Sequence, residues 1–342
     1  MTKVAYCGDL HFGKFNNSRY HNGMLMKFVK FLVDKCNEEE INYIIFTGDY
    51  FDNRQNINVM TLHHGIQAMR HVNDNFNGEV YSLVGNHDMY HKDRLDVTST
   101  DVTEPYCDHL IKKETIVDIG GHDVLLVPWV CDNEHWDQVV ELSKRVDYCF
   151  GHFEFKKFKM NDHYVMEHGF THKAFKKLKR VLSGHFHIRQ KVDNVIYPGS
   201  PFPFDFNDAN TEERGFGIID LDTNENEFVN FNGPKIRTVS YKDILDNKID
   251  LQDNDLKVKV LFDGEVSDND LEEVKTRLED AHVLESKIDY VPNKIKDFIE
   301  SDIEVQEVEN IDDVVLHYIR NSREIEGVNK NLLESLYKEA IV

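Results

Sequence analysis

Val84-Gly85-Asn86-His87-Asp88 decides how this chain is read. It follows Val80, Tyr81 and Leu83, an apolar run of strand length, and sets an amide, an imidazole and a carboxylate where that strand ends. Four further blocks of the same kind occur in order: Gly8-Asp9-Leu10-His11, Gly48-Asp49-Tyr50-Phe51-Asp52, Gly151-His152 and Gly184-His185-Phe186-His187. A lone Gly-Asp is a common turn, and a lone His-x-His is more often structural than a ligand. Five blocks in succession, four of them closely behind apolar strands, point to one shared cavity.

Outward from these blocks, Lys3 to Cys7, Ile41 to Phe46 and Val80 to Val84 read as strands. The second is continuously β-branched or aromatic, which suits a strand buried on both faces. Residues 23–36 (Met24, Phe28, Phe31, Leu32) and 58–72 (Val59, Leu62, Ile66, Met69) carry helical stripes; the second faces either the core or a second copy of the chain. This is the strand–loop–helix alternation of an α/β fold, in which sites form at strand ends. After Asp88 a second sheet is expected. Its strands are Ile116–Ile119 and Val124–Val127, paired about Gly120-Gly121, then Tyr148–Phe150, Val181-Leu182 and Val195–Tyr197. Phe216–Leu221 and Glu227–Phe231 read as a closing hairpin.

Composition shifts near Asn232-Gly233-Pro234, so residues 1–235 form the expected main domain. Residues 236–292 read as a small α/β unit. Leu256, Val258, Val260 and Phe262 alternate as a strand, Ser267 caps a helix with Leu271, Val274 and Leu278, and Val283–Tyr290 returns as a strand. Residues 293–342 carry two apolar helix stripes, one through Ile311, Val314, Val315, Tyr318 and Ile319, the other through Leu332, Leu333, Leu336, Tyr337, Ala340 and Ile341. Such stripes need a cover, from the chain itself or from a partner.

The net charge of −22 argues against a nucleic-acid binder, but it is unevenly spread. Residues 241–342 carry −14 of it, whereas residues 151–191 hold ten Lys or Arg against three acids. That basic segment lies among the last two histidine blocks. No apolar run is long enough to span a bilayer, and Val4–Cys7 already reads as a strand, so no membrane and a cytoplasmic location are expected. The five scattered cysteines, with no Cys-x-x-Cys, read as reduced thiols.

The blocks supply Asp9, His11, Asp49, Asn86, His152, His185 and His187: two carboxylates, one amide oxygen and four imidazoles. This mixture suits Mn, Fe or Zn better than the all-oxygen preference of Mg or Ca. Seven donors exceed the need of one ion and suffice for two if a carboxylate bridges. On an extended segment the Asp-x-His and His-x-His spacings put both side chains on one side. The glycine before each block is expected to allow the tight turn.

On these residues the chain resembles the calcineurin-like metallophosphoesterases, whose pattern D-x-H, G-D-x-x-D/H, G-N-H-D/E, G-H and G-H-x-H is complete here. Gly48–Asp52, Val127-Pro128-Trp129, Gly151–Glu154, Ser183–His187 and Tyr197–Pro201 resemble, more narrowly, the nuclease subunits of the SbcCD and Mre–Rad DNA-repair complexes, above all their short bacteriophage (T-even-like) form. The resemblance implies a four-layer α-β-β-α metallophosphoesterase sandwich with a small α/β cap that recognises DNA and C-terminal helices. It implies two divalent ions, manganese by preference. Asp9, His11, Asp49 and His187 would hold one; Asp49, Asn86, His152 and His185 would hold the other. His87 is expected to stabilise the transition state or protonate the leaving oxygen. Asp88 is expected to orient His87 by accepting its other ring proton. The implied activity is exonuclease action on duplex DNA and endonuclease action on single strands, in recombination, repair and end processing. The implied partners are DNA, an SMC/Rad-type coiled-coil ATPase docking on 293–342, and a second copy of the chain. Asp52 stands where many cellular members carry histidine. The alternative is a metallophosphoesterase acting on a phosphoprotein, cyclic nucleotide or small phosphodiester, which leaves the extra domain and apolar tail without a role.

Overall fold

Along the first strand Val4 and Tyr6 turn to one side, Ala5 and Cys7 to the other, and all four are buried. A strand covered on both faces must lie inside a layered fold, and the computed structural model shows the layers. It describes residues 1–161, 164–211, 213–252, 255–263 and 266–291.

The first sheet holds β1 (Lys3–Cys7), β2 (Tyr43–Phe46), β3 (Glu79–Leu83) and β4 (His109–Ile111), each parallel to the next. The second holds β5 (Thr115–Ile119), β6 (His122–Val127), β7 (Tyr148–His152), β10 (Arg180–Gly184), β11 (Gln190–Val192) and β12 (Val195–Tyr197), in the order β11-β12-β10-β7-β6-β5. A separate two-stranded ribbon is formed by β8 (Lys159–Asn161) and β9 (Tyr164–Val165). The closing hairpin, β13 (Gly215–Asp220) and β14 (Asn226–Asn230), returns to the first sheet, where β13 pairs antiparallel with β1. Both sheets thus have six strands.

Between the sheets lie Val4, Tyr6, Ile45, Tyr81, Leu83, Leu126, Phe150, Leu182 and Ile196. On the outer face of the first sheet pack α1 (Arg19–Glu38), started by the Ser18 side chain, and α2 (Val59–Asn75). On the outer face of the second packs α3 (Asn133–Ser143), with Trp136 and Val139 against Val127, Cys149 and Val181. This is the expected α-β-β-α order. In the α2 stripe Met69 is buried and Leu62 packs on the core, while Val59 stays 80% exposed. The cysteines are unpaired.

The small α/β region holds one strand more than expected. A strand at 235–240 was missed: β15 (Lys235–Ser240) is apolar only at Ile236 and Val239, with no period-two pattern, but pairs in parallel with β16 (Leu256–Asp263), joined through the short helix α4 (Tyr241–Leu245). β17 (Glu285–Val291) follows α5 (Asp268–Asp280). Val239, Tyr241, Leu256, Val258, Val260, Phe262, Val274 and Leu278 form a core of their own. By compactness Met1–Asp289 is one unit and Tyr290–Val342 another. The helical segment expected at 293–342 lies outside the described residues. Among the described residues no helix is long and apolar enough to cross a membrane.

Candidate metal centre

The loops after β1 and β2 stay zipped together beyond their strands. Asp9 N donates to the Gly48 carbonyl (3.0 Å), His11 N to that of Asp49 (3.0 Å) and Phe12 N to that of Tyr50 (2.9 Å). Neighbouring parallel strands therefore deliver both ligand blocks to one place. The expected turn mechanism needs correction, because the ligands themselves take the left-handed conformation: Asp9 at φ 56, His11 at 52, Asp49 at 54 and His185 at 103. The segments are not extended, so spacing alone did not align their side chains. Each such residue costs on the order of 1–3 kcal/mol, a strain that concentrates at functional sites. Gly48 is left-handed as anticipated (φ 101), but Gly85 serves by lacking a side chain: a Cβ there would lie 2.2 Å from Asp49 Oδ1.

All seven expected donors converge. Donor atoms of Asp9, His11 and His187 lie within 4.8 Å of one another, and so do those of Asp49, His152 and His185. His11 Nε2 faces His187 Nε2 at 3.1 Å. Asn86 Oδ1 sits 3.0 Å from His152 Nε2 and 3.1 Å from His185 Nδ1. Asp49 joins the two groups: its Oδ2 is 3.7 Å from His11 Nε2 and 3.3 Å from His152 Nε2, while its Oδ1 accepts the His87 amide at 2.8 Å. Asp9 is pinned by the His185 amide, 2.8 and 3.1 Å from its two oxygens.

Electrostatics favour cations here. Burial holds His11, His185 and His187 below the usual imidazole range, so the rings are neutral, the form that ligates metal. Burial opposes charge on Asp49, but the charges and hydrogen bond of neighbouring histidines, His152 foremost, hold it well below the carboxylate range. His152 Nδ1 lies 2.7 Å from the Thr47 carbonyl, which can only accept, so Nε2 is the nitrogen turned to the cluster. Burial opposes a charge on this ring, yet adjacent Asp49 lifts it to about 9. Mixed N and O donors, buried, convergent and aimed at one another, fit a pair of divalent ions.

Asp88 is not where the sequence put it. Its buried carboxylate accepts from the amides of Gly85 (2.9 Å), Phe51 (3.0 Å) and Tyr50 (3.2 Å). His87 Nδ1 instead lies 2.8 Å from the Asp52 backbone carbonyl. Successive residues in this tight turn point apart, so Asp88 clamps the Asp49 loop while His87 faces the cluster.

Three residues went unassigned. Asp52 Oδ1 lies 3.2 Å from His11 Nδ1 and 3.6 Å from Lys14 Nζ, and Asp52 groups with His11 and His87 as a third donor set. Glu154 Oε2 lies 3.3 Å from His185 Nε2; its place in Gly-His-Phe-Glu was the available signal. Arg214, 1% exposed, donates to the His187 carbonyl and to Ser200 Oγ at 3.0 Å, and nothing local in the sequence marks it. The lysines at 173, 176, 177 and 179 are exposed, around a 3-10 turn (His172–Phe175) rather than a long helix.

The family model for calcineurin-like phosphoesterases matches residues 2–189, which contain all seven donors. Exonuclease subunit 1 of Enterobacteria phage T4 is 29% identical to the chain over 349 aligned residues, covering 99% of each. Among solved structures, a dimetal phosphatase from Danio rerio is similar at 11% identity, over 64% of this chain and 91% of that one, with a TM-score of 0.40.

Proposed function

Because the chain belongs to the calcineurin-like phosphoesterase family, we propose that it is a metal-dependent DNA nuclease subunit. The observation that carries the chemistry is the Asp49 carboxylate, shared by two clusters of convergent ligands. In this reading Asp9, His11, Asp49 and His187 hold one ion, and Asp49, Asn86, His152 and His185 hold the other, with manganese the preferred metal. When bound, two such ions supply Lewis-acid stabilisation and nucleophile activation for in-line displacement at phosphorus. The chain's own residues do the rest. His87, its Nδ1 tied to Asp52, presents Nε2 to the substrate and stabilises the developing charge or protonates the leaving oxygen. Asp88 fixes the loop that carries Asp49.

DNA as substrate is supported by the full-length similarity to a phage exonuclease subunit and by the lysine-rich segment 156–191 in an otherwise acidic chain. Residues 1–235 form the nuclease domain, 236–292 a DNA-recognising cap, and 293–342 the docking segment for an SMC/Rad-type ATPase. That partner supplies the phosphate contacts beyond those of segment 156–191. The pair works on duplex ends and single strands in recombination and repair, in the host cytoplasm, with the nuclease as a homodimer.

The test uses purified full-length protein with manganese, linear duplex DNA, circular single strands and an aryl phosphodiester, beside Asp49→Ala and His87→Ala. Manganese-dependent DNA cleavage that both substitutions abolish is expected. Turnover of the aryl ester with DNA left intact would remove the nuclease reading and leave only a phosphodiesterase.

A further inference from the structure

His185 is held firmly, but most of what holds it is blind to its nitrogens. Its backbone is left-handed (φ 103), and its amide donates to both oxygens of Asp9, at 2.8 and 3.1 Å. Its ring lies 5.2 Å from that of Trp129 and meets His152 edge-on at 5.3 Å. These contacts fix the plane of the imidazole. They do not choose between the ring and its 180° flip, which has the same outline, nor place its proton. The polar neighbours decide both: Nδ1 faces Asn86 Oδ1 at 3.1 Å, and Nε2 faces Glu154 Oε2 at 3.3 Å.

Both neighbours are acceptors, and a neutral imidazole has one N–H to give. Asn86 Oδ1 is an amide oxygen that already lies 3.0 Å from His152 Nε2. Glu154 is a partly exposed carboxylate, ionised at neutral pH. A hydrogen bond to a charged acceptor is roughly twice as strong as one to a neutral acceptor. The proton therefore goes to Nε2, and Nδ1 keeps its lone pair toward Asn86 Oδ1. Two acceptors then face each other with no hydrogen between them, an arrangement that a cation relieves.

Glu154 is built into this position. It stands two residues past His152, where β7 ends, so one short segment carries a ligand and the partner of another ligand. Phe153 N donates to Ser183 Oγ (3.0 Å), and Phe170 N to the Glu154 carbonyl (3.0 Å). Phe155 bridges to Phe170 in parallel, and its buried ring stacks on that of Phe153 with centroids 5.0 Å apart. Gly169 (φ 89) lets the chain close over this segment: a Cβ there would lie 2.3 Å from the Glu154 carbonyl oxygen. The backbone on both sides of Glu154 is thus anchored, and its carboxylate is delivered to the one edge of His185 that the donor set leaves over.

We propose that Glu154 is a positioning residue for the second ion: by accepting the Nε2 hydrogen of His185 it sets the ring flip and the tautomer that aim Nδ1 into the donor set of Asp49, Asn86 and His152. This rests on the two-ion reading above and deepens it by naming what selects the ligating nitrogen of His185.

The test uses the full chain as wild type, Glu154→Gln and Glu154→Ala, with 15N in the histidine rings; a His185→Gln spectrum identifies the His185 signals. In metal-free wild type, NMR is expected to show His185 protonated on Nε2. In Glu154→Ala the proton moves to Nδ1, toward Asn86. In Glu154→Gln, where two amide oxygens compete, both tautomers appear. Calorimetric titration with manganese is expected to give two ions for wild type. For Glu154→Ala it gives one ion at wild-type affinity and one weakened roughly 10–100-fold, the usual cost of losing the partner of a ligating histidine. Glu154→Gln lies between. Two full-affinity ions in Glu154→Ala overturn the proposal, as does a proton that stays on Nε2. Loss of the second ion with the proton still on Nε2 also overturns it, making Glu154 a ligand instead. Should Glu154→Ala fail to fold, Glu154→Gln decides: wild-type tautomer and wild-type affinity together overturn the assignment. Wild-type protein that binds fewer than two manganese ions sinks the two-ion reading itself, whatever the tautomer.

Discussion

His87 is held by Asp52 through the backbone, with its Nδ1 2.8 Å from the Asp52 carbonyl oxygen. A carbonyl has no proton to give, so Nδ1 donates and Nε2 is left free. The Asp52 carboxylate serves another ring, 3.2 Å from His11 Nδ1. One residue thus positions two histidines with two different groups. Asp52→Asn keeps the carbonyl and removes the charge beside His11. Expected is a fall in manganese affinity of roughly 10–100-fold, as for other partners of metal-bound histidine. Turnover at saturating manganese stays within a few fold. Metal titration of activity separates the two, and a collapse of saturated turnover with unchanged affinity would contradict the assignment.

Asp88 and His87 are expected to part company under mutation. Asp88→Ala strands two amides of the Asp49 loop, Tyr50 and Phe51, and that of Gly85 in its own loop, each buried donor left unpaired costing about 1–3 kcal/mol. Its melting temperature drops by several degrees. His87→Ala, at a partly exposed ring, leaves melting nearly unchanged and removes turnover. Comparable melting for the two proteins, with Asp88→Ala merely slow, would restore Asp88 as a partner of His87.

Gly85→Ala tests the close approach of two ligand loops. The added methyl would meet Asp49 Oδ1 at 2.2 Å and Asp49 N at 2.3 Å. Because Asp49 joins both donor groups, its displacement is expected to weaken both ions together and to destabilise the fold by about 1–3 kcal/mol. Isothermal titration with manganese reads this directly; two full-affinity equivalents in the variant would rule the contact unimportant.

Arg214→Lys removes a buried planar donor that grips the His187 carbonyl, Ser200 Oγ and Thr211 Oγ1 at once. Lysine keeps the charge but not the fork. The expected loss is about 3 kcal/mol, comparable to breaking a buried ion pair, together with weaker binding of the ion proposed at His187. Thermal unfolding with and without manganese checks it. A variant as stable as wild type would show that the loop needs no such clamp.

Ion binding should strengthen with pH. Burial lifts the Asp9 carboxyl to about 7; the His152 charge lowers it and that of Asp49 raises it. His152, despite burial, is raised by Asp49 to about 9. In the metal-free protein His152 holds its proton at neutral pH and Asp9 is near its midpoint, and both must be deprotonated to ligate. Protons therefore compete with the ion at low pH, and affinity rises as pH passes from 6 toward 9. Roughly tenfold or more tightening between pH 6 and 8, with proton release seen by calorimetry in two buffers, is the expected result. A flat affinity across that range would mean the two sites are already deprotonated.

The sequence by itself determined the donors and the layers. Apolar runs with polar ends mark β1, β2 and β3 because a strand buried on both faces has no polar position to spare, and the residues after it are the first that carry chemistry. Hence Asp9, His11, Asp49, Asn86, His152, His185 and His187 were all legible, and all meet. What each does locally was settled in three dimensions. Neighbouring in sequence, His87 and Asp88 looked like partners, yet a tight turn sends one to the cluster and the other to the amides of a different loop. The left-handed conformations of Asp9, His11, Asp49 and His185 are imposed by inter-loop hydrogen bonds between segments roughly 40 and 180 residues apart, which no local pattern encodes. Arg214 became a clamp only because β13 returns to β1 and brings it under the His187 loop. Local composition dictates which side chains seek burial or metal; the pairing of distant strands decides which of them face each other.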